Sequence, residues 1–170
     1  EIFPPNTVPS RVRGLATVAG FHATAELPGE IETPGEGQIK ALIISGGNPV
    51  VSGPDGAALD RALSKLDCLV AIDLVQRESH RHADWLIPAA HWLEREEFNP
   101  LISGLSNSAF VQMGKRVVNK PQTIRHEWEF LRDLAIAMKV PLMNKPGVNQ
   151  VARLSRAAAR ITGNPDHSFS

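Results

Sequence analysis

Apolar residues along this chain gather into short runs of two different periods. Residues 39–45, IKALIIS, form a near-continuous apolar run that stops at GGNP. A run that short and that unbroken predicts a strand buried on both faces of a parallel sheet. Past it, Ala58, Leu59, Ala62, Leu63 and Leu66 fall on one stripe at helical spacing. Ser52-Gly53-Pro54-Asp55 offers that helix a capping-box-like start with proline in the first turn. The run CLVAI, residues 68–72, then reads as a returning strand. About thirty residues from strand to strand is the length of a right-handed βαβ crossover. The predicted fold class is therefore α/β, a Rossmann-like and mostly parallel sheet flanked by helices.

The remaining pattern is less regular. Residues 105–120, which include AFVQMGKRVV, alternate loosely and predict a further strand. A helix over 125–139 would put Trp128, Leu131, Leu134, Ala135 and Met138 on one face, with Thr123 as its cap and Pro141 past its end. A last helix over 147–162 carries Val148, Val151, Leu154, Ala158 and Ile161 on one stripe. Its second stripe, Arg153, Arg156 and Arg160, reads most simply as a solvated face, and Gly163 ends it. Residues 1–38 are rich in Pro, Gly and Thr and predict an approach segment with little regular structure. The expected organisation is an approach segment over 1–38, an α/β core over 39–145, and a C-terminal helix and tail over 146–170.

Composition narrows the function classes. With 170 residues, the chain is long enough for one domain with a true core. Eighteen basic residues balance eighteen acidic ones, so no global field draws it to nucleic acid or to an anionic membrane. The apolar runs ALII and CLVAI are far too short to span a bilayer, and EIFPPNTVPSR lacks the apolar core of a signal peptide. Neither nucleic acid nor membrane insertion is expected, and the compartment stays open with the cytoplasm preferred. Cys68 is the single cysteine and lies inside LDCLVAID, where a thiol more often acts as a small buried hydrophobe than as a nucleophile. The chain starts without methionine and ends on Ser-Phe-Ser, which reads as a processed form or a piece excised from something longer.

Residues 78–94, ESHRHADWLIPAAHWLE, raise the question of a metal site. His80, His82 and Asp84 alternate, and His91 follows, which resembles the opening ligands of two-metal hydrolases. Those hydrolases place another His directly after the Asp, whereas Trp85 stands there here. Ala83, Trp85, Leu86, Ile87 and Pro88 read as a chain entering a core and turning. Surface histidines beside a buried Trp-Leu-Ile run are therefore the favoured reading, and no metal ligand is assigned.

Two strand ends carry more pointed chemistry, because ligands of open α/β sheets lie beyond the carboxyl ends of the strands. At the first, Ser45-Gly46-Gly47-Asn48-Pro49, paired glycines let a ligand approach the backbone. The exposed amides of such a turn favour a phosphate, and Asn48 can both donate and accept. A tight turn without a ligand would use the same residues. At the second, Asp73 follows CLVAI directly and can accept two hydrogen bonds from a ribose diol or from the N1 and N2 donors of guanine. A bidentate contact of that kind contributes roughly 1–3 kcal/mol of base discrimination. Capping of the next segment is the competing role for Asp73.

The order IKALIISGGNPVVSGPDGAALDRALSKLDCLVAIDLVQRESHRHADWLIPAAHWLEREEF, residues 39–97 and the Phe after them, resembles the third domain of molybdopterin guanine dinucleotide oxidoreductases. That is the family of formate dehydrogenases, periplasmic nitrate reductases and dimethyl sulfoxide reductase. GGNPVVS, LDCLVAID and ESHRHADWLIPAAHWLE carry the resemblance, and ELPGEIETPGEGQ is similar to the approach segment of one branch. His80 and His82 fall at variable positions of the third motif, whereas Ala83, Asp84 and Pro88 match it.

The resemblance implies a Rossmann-like single domain, excised from a larger enzyme, that holds one of two pterin guanine dinucleotides flanking molybdenum or tungsten. It places Gly46, Gly47, Asn48 and Pro49 at the phosphates and nucleotide end of the cofactor, and Asp73 at the guanine. Glu78 and Ser79 fall beside that pocket, and Asp84 belongs to the cofactor-binding set. Any iron–sulfur cluster and the catalytic metal ligand would belong to other parts of the polypeptide. Partners would be the remaining domains and a redox partner subunit, and the segment alone would be inert. Members of the family often continue with a Gly-Thr and a later Asn before an Arg pair, but this chain reads REEFNPLISGLSNSAF, a departure that puts the family's contacts from 95–110 in doubt and points away from standard formate dehydrogenases. A nucleotide-binding module without molybdenum, like the middle domain of thiamine-diphosphate enzymes, shares the βαβ pattern and is the alternative.

Overall fold

The structure, a computed structural model, describes residues 8–18, 20–98, 107–108, 110 and 112–140. The helix expected over 147–162, Pro141 and the tail from 146 lie outside the described residues. The chain falls into two compact units, Glu1–Ala89 and Ala90–Ser170.

The first unit is built on a three-stranded parallel sheet. Its strands, β1 (Ala41–Ser45), β2 (Cys68–Asp73) and β3 (Trp85–Pro88), lie in the order β1-β2-β3. Ala41 pairs with Cys68 and Ser45 with Ile72, so IKALIIS and CLVAI are the neighbouring parallel strands their unbroken apolar runs predict. The connection between them holds α2 (Pro49–Ser52) and α3 (Gly56–Leu63). Helix α3 starts at Asp55, not at Ser52. The Asp55 carboxylate accepts from the Ala58 amide at 3.1 Å, and its backbone takes a left-handed φ of 50°. The break follows from Gly53-Pro54, since proline removes an amide donor and a residue before it resists helical backbone.

Residues before β1 hold more regular structure than their composition predicts. Helix α1 (Leu27–Glu32) follows a 3-10 turn at Thr24–Glu26 and buries Ile31, which is 1% exposed. Pro28 in the first turn is where a helix tolerates proline, and a Pro/Gly count hides that placement. Arg11 fastens the segment by donating to Thr33 O at 2.7 Å and Glu30 O at 3.2 Å. Lys65, just after α3, pairs with Glu32 of α1 at 2.7 Å.

Helices α1 and α3 share one sheet face, where Ile31, Ile44, Leu59, Ala62, Leu63 and Leu69 form the core. Burying each of the large side chains contributes about 1.5–3 kcal/mol. On the opposite face, Ile43, Val70 and Trp85 lie side by side in register. The Trp-Leu-Ile run expected to be buried is thus a sheet edge, with Trp85 65% and Leu86 45% exposed. Register explains Trp85: its pairing with Val70 turns it away from the helices. Cys68 is half-buried rather than buried, because it opens β2 instead of lying mid-strand.

In the second unit, His91 caps a turn at Trp92–Glu94, accepting from the Leu93 amide at 3.2 Å. The strand expected within 105–120 is reduced to β5 (Met113–Gly114), paired antiparallel with β4 (Glu97–Phe98). Helix α4 (Glu127–Ala137) realises the expected helix, capped by His126 rather than Thr123. The Glu129 carboxylate accepts from the His126 amide at 2.9 Å, so the first helical turn supplies its own box. Ala135 is buried, whereas Met138 has left the helix and is exposed. Among the described residues no helix is long and apolar enough to cross a membrane.

Candidate functional site

Seven of the eight residues singled out from sequence meet at the carboxyl ends of β1 and β2. As β1 ends, Gly46 turns with a φ of 61°, and its amide donates to Ile72 O at 2.9 Å. That left-handed backbone is why glycine stands there. A Cβ built on Gly46 meets nothing within 4 Å, so the turn is open on its outer side. The amides of Gly47 and Asn48 donate to no partner among the described residues. Pro49 follows as the first residue of α2, where a missing amide costs nothing.

Asn48 is fastened from below. Its Nδ2 donates to Glu78 Oε2 at 2.7 Å, and its Oδ1 accepts from Ser79 Oγ at 2.8 Å and Ser79 N at 3.2 Å. Ser79 Oγ in turn accepts from the Val50 amide at 2.8 Å. Ser79 is fully buried and its hydrogen bonds are all used inside the protein, so it positions Asn48 and faces no ligand. Glu78 is exposed, and its carboxyl is held below its ordinary range by its own backbone amide and by Asn48.

Asp73 ends β2 with its side chain 4% exposed. Its Oδ1 accepts from the Leu74 amide at 2.6 Å and its Oδ2 from Arg77 Nε at 2.7 Å. His80, 1% exposed, lies 3.9 Å from Asp73 Oδ2 through Nε2. The His80 Nδ1 accepts from the Arg77 amide at 3.2 Å, which leaves the proton of the neutral ring on Nε2, directed to Gly47 O at 3.2 Å. Arg77 is thus bonded to Asp73 and His80 to the glycine turn, with Asp73 and His80 3.9 Å apart between the two pairs. His80 is not the surface histidine expected from its polar neighbours, since the 3-10 turn at Glu78–His80 folds it under the loop.

Burial is the largest influence on Asp73 and by itself raises the carboxyl's pKa. The Arg77 hydrogen bond, the Leu74 amide and the Arg77 charge together outweigh it and leave the pKa below the ordinary 3.8. A native pKa below the unfolded one makes the ionised carboxylate stabilising above about pH 4, with that contribution lost as pH falls through the lowered native value. Asp73→Asn is expected to unfold more easily at neutral pH and to show a flatter acid limb. Urea midpoints measured from pH 7 to pH 2.5 check this, and identical pH dependence in both proteins would exclude it.

Asp84 stands apart. It lies before β3 at the amino end of the sheet, where its Oδ2 accepts from the Leu69 amide at 2.7 Å and its own amide donates to Leu69 O at 2.8 Å. It pins the register of β2 and β3. His82 and Arg81 diverge from it to Asp60 of α3, at 3.1 Å and 3.3 Å. Among the described residues no three His, Cys, Asp or Glu side chains converge as a metal-ligand set.

Arg77 and the inward His80 are site residues that sequence reasoning did not select. The signal available for Arg77 was its spacing of four from Asp73. For His80 no periodic signal exists, because it lies in a 3-10 turn outside any strand or helix stripe.

The donor set fits a nucleotide. Two turn amides without a partner among the described residues, and a guanidinium, supply donors for phosphate or base acceptors, and the Glu78 carboxylate supplies an acceptor for sugar hydroxyls.

Residues 6–137 match the Molybdopterin oxidoreductase family. The chain is 31% identical to the formate dehydrogenase subunit alpha of Methanocaldococcus jannaschii over 80% of its own length and 19% of that protein. It is 32% identical to the assimilatory nitrate reductase catalytic subunit of Bacillus subtilis over 73% of its length and 18% of that protein. The acetylene hydratase of Pelobacter acetylenicus superposes with a TM-score of 0.59 at 24% identity, covering 68% of this chain and 16% of that one, which shows a shared fold. The chain thus spans about a fifth or less of the length of these relatives.

Proposed function

The chain belongs to the molybdopterin oxidoreductase family, and from that premise we propose that it holds the guanine dinucleotide part of one molybdopterin guanine dinucleotide in a larger molybdenum or tungsten oxidoreductase. The observation that supports this reading most is the open turn at the end of β1. Gly47 and Asn48 present amides there that have no partner among the described residues, beside the polar group that ends β2.

In this reading Gly46, Gly47 and Asn48 receive the phosphates, and Pro49 starts α2 so that the turn keeps its shape. Glu78 accepts from sugar hydroxyls while it holds Asn48, and Ser79 fixes Asn48 from beneath. Asp73 sets the guanine end. Asp84 serves the sheet instead of the pocket, and Cys68, at the opposite end of β2 from Asp73, is not the metal ligand. The cofactor, when bound, supplies metal-centred redox chemistry, and this chain contributes binding, orientation and local electrostatics. The catalytic metal ligand, any iron–sulfur cluster and the electron-transfer partner belong to other domains of the same polypeptide or to a partner subunit.

Acid hydrolysis of the purified native protein tests the reading, with released nucleotide and metal quantified on one sample. GMP together with molybdenum or tungsten is the expected result. Metal with pterin but no guanine nucleotide would overturn the dinucleotide assignment. Nucleotide without either metal would favour a binding module that has kept only the fold.

A further inference from the structure

We infer that His80 is a positioning residue for the glycine turn: its Nε2 proton holds the Gly47 carbonyl inward and so keeps the Asn48 amide turned outward for an anion. The inference rests on the nucleotide reading above and specifies what keeps the turn in its binding orientation.

One peptide unit, Gly47–Asn48, is decisive. It is trans, so its carbonyl and its amide point in opposite directions. The Gly47 carbonyl accepts from His80 Nε2 at 3.2 Å. His80 is 1% exposed, so that carbonyl faces the protein interior and the Asn48 amide faces away from it. Among the described residues Gly47 O has His80 as its only partner and the Asn48 amide has none, so a single bond sets the orientation of the unit.

Without that bond the unit is free to reverse. A flip changes only the ψ of Gly47 and the φ of Asn48, and glycine tolerates most backbone angles. Half a turn takes Asn48 from its φ of −129° to about 50°, in the left-handed region that asparagine enters more readily than most residues. The bonds that Asn48 O accepts from the Val51 amide at 3.0 Å and the Ser52 amide at 2.9 Å belong to the next peptide unit and survive the flip. The reversed unit would show a carbonyl oxygen where a phosphate oxygen must approach. His80 therefore decides whether the turn offers an anion a donor or an acceptor.

The imidazole is itself fixed. Its Nδ1 accepts from the Arg77 amide at 3.2 Å, and a backbone amide can only donate, so the neutral ring carries its proton on Nε2. His80 thus ties the loop after β2 to the turn after β1, across 33 positions of sequence. Ser79 does not duplicate this tie, because it bonds the Asn48 side chain and the Val50 amide.

Two substitutions separate the ring nitrogens. His80→Gln can place an amide donor where Nε2 stands, and His80→Asn can place an amide oxygen where Nδ1 stands. Each keeps one of the two bonds and forfeits the other. The test is calorimetric titration of the full-length protein, produced in a host that makes no dinucleotide cofactor, with inorganic pyrophosphate and with GMP. Thermal unfolding is recorded alongside. His80→Asn is expected to weaken both ligands about 10-fold and His80→Gln to leave them within about 3-fold of the parent, although the two variants lose similar thermal stability. In the parent, the nitrogen-15 amide signal of Asn48 is expected to shift on saturation with pyrophosphate, a readout that needs no variant to fold. Equal weakening by the two substitutions, or none by His80→Asn, would overturn the role of His80 while sparing the nucleotide reading. An Asn48 amide signal left unmoved by bound pyrophosphate would overturn it as well. Failure of the parent to bind either ligand would remove the nucleotide reading and this inference together.

Discussion

Gly56→Ala is expected to cost about 3 kcal/mol or more, a severe loss for a single methyl group. A Cβ at Gly56 would lie 1.9 Å from Val50 O and 3.0 Å from Val50 C, so backbone must move against backbone. Helix α2 would be pushed off α3, and α2 carries the Val50 amide that donates to Ser79 Oγ at 2.8 Å. The damage therefore reaches Asn48 through Ser79. Gly46→Ala is the useful contrast. Its left-handed backbone costs about 1–2 kcal/mol, but no atom stands in the way. Thermal and urea denaturation of both variants would separate a steric clash from a backbone preference. Equal losses in the two would show that α2 yields freely.

Asn48→Ala should be the most damaging single change to ligand binding. It removes the acceptor of Ser79 N and Oγ and the donor to Glu78 in one step. Stranding the Ser79 amide, which is fully buried, costs about 1–3 kcal/mol. The larger effect falls on the turn. Once untied from Ser79, the backbone of Gly47 and of position 48 must be ordered by the ligand itself, and GMP affinity is expected to fall about 100-fold. Ser79→Ala should have a milder effect, because Asn48 keeps its bond to Glu78 while the Val50 amide loses its acceptor. If GMP binds Asn48→Ala as tightly as the parent, the turn does not contact the nucleotide.

Part of this site could be read directly from sequence. Paired glycines before Asn-Pro, and an aspartate directly after an apolar run, are local signals. They depend only on the φ glycine permits and on where a strand stops. The βαβ order was legible for the same reason, since unbroken apolar runs and a helical stripe reflect burial along one element at a time. What could not be read were relations between elements. His80 looks like a surface residue among charged neighbours, yet a 3-10 turn carries it under Gly47, where its two ring nitrogens find backbone partners. Asp84 matches a motif that also contains site residues, but it lies at the other end of the sheet.

The sequence by itself determined the α/β class, the parallel pairing of the runs at 39–45 and 68–72, and the turn that ends β1. Each rests on periodicity, chain length and backbone conformation. Only the tertiary structure decided which polar groups at the strand ends are used up inside the protein and which stay open. Asp73 and Ser79 are spent on Arg77, Leu74, Asn48 and Val50, while Arg77 and two turn amides keep open donors. A buried polar atom must be satisfied by whatever the fold brings within about 3 Å, and contacts between residues some thirty positions apart leave no periodic trace in the chain.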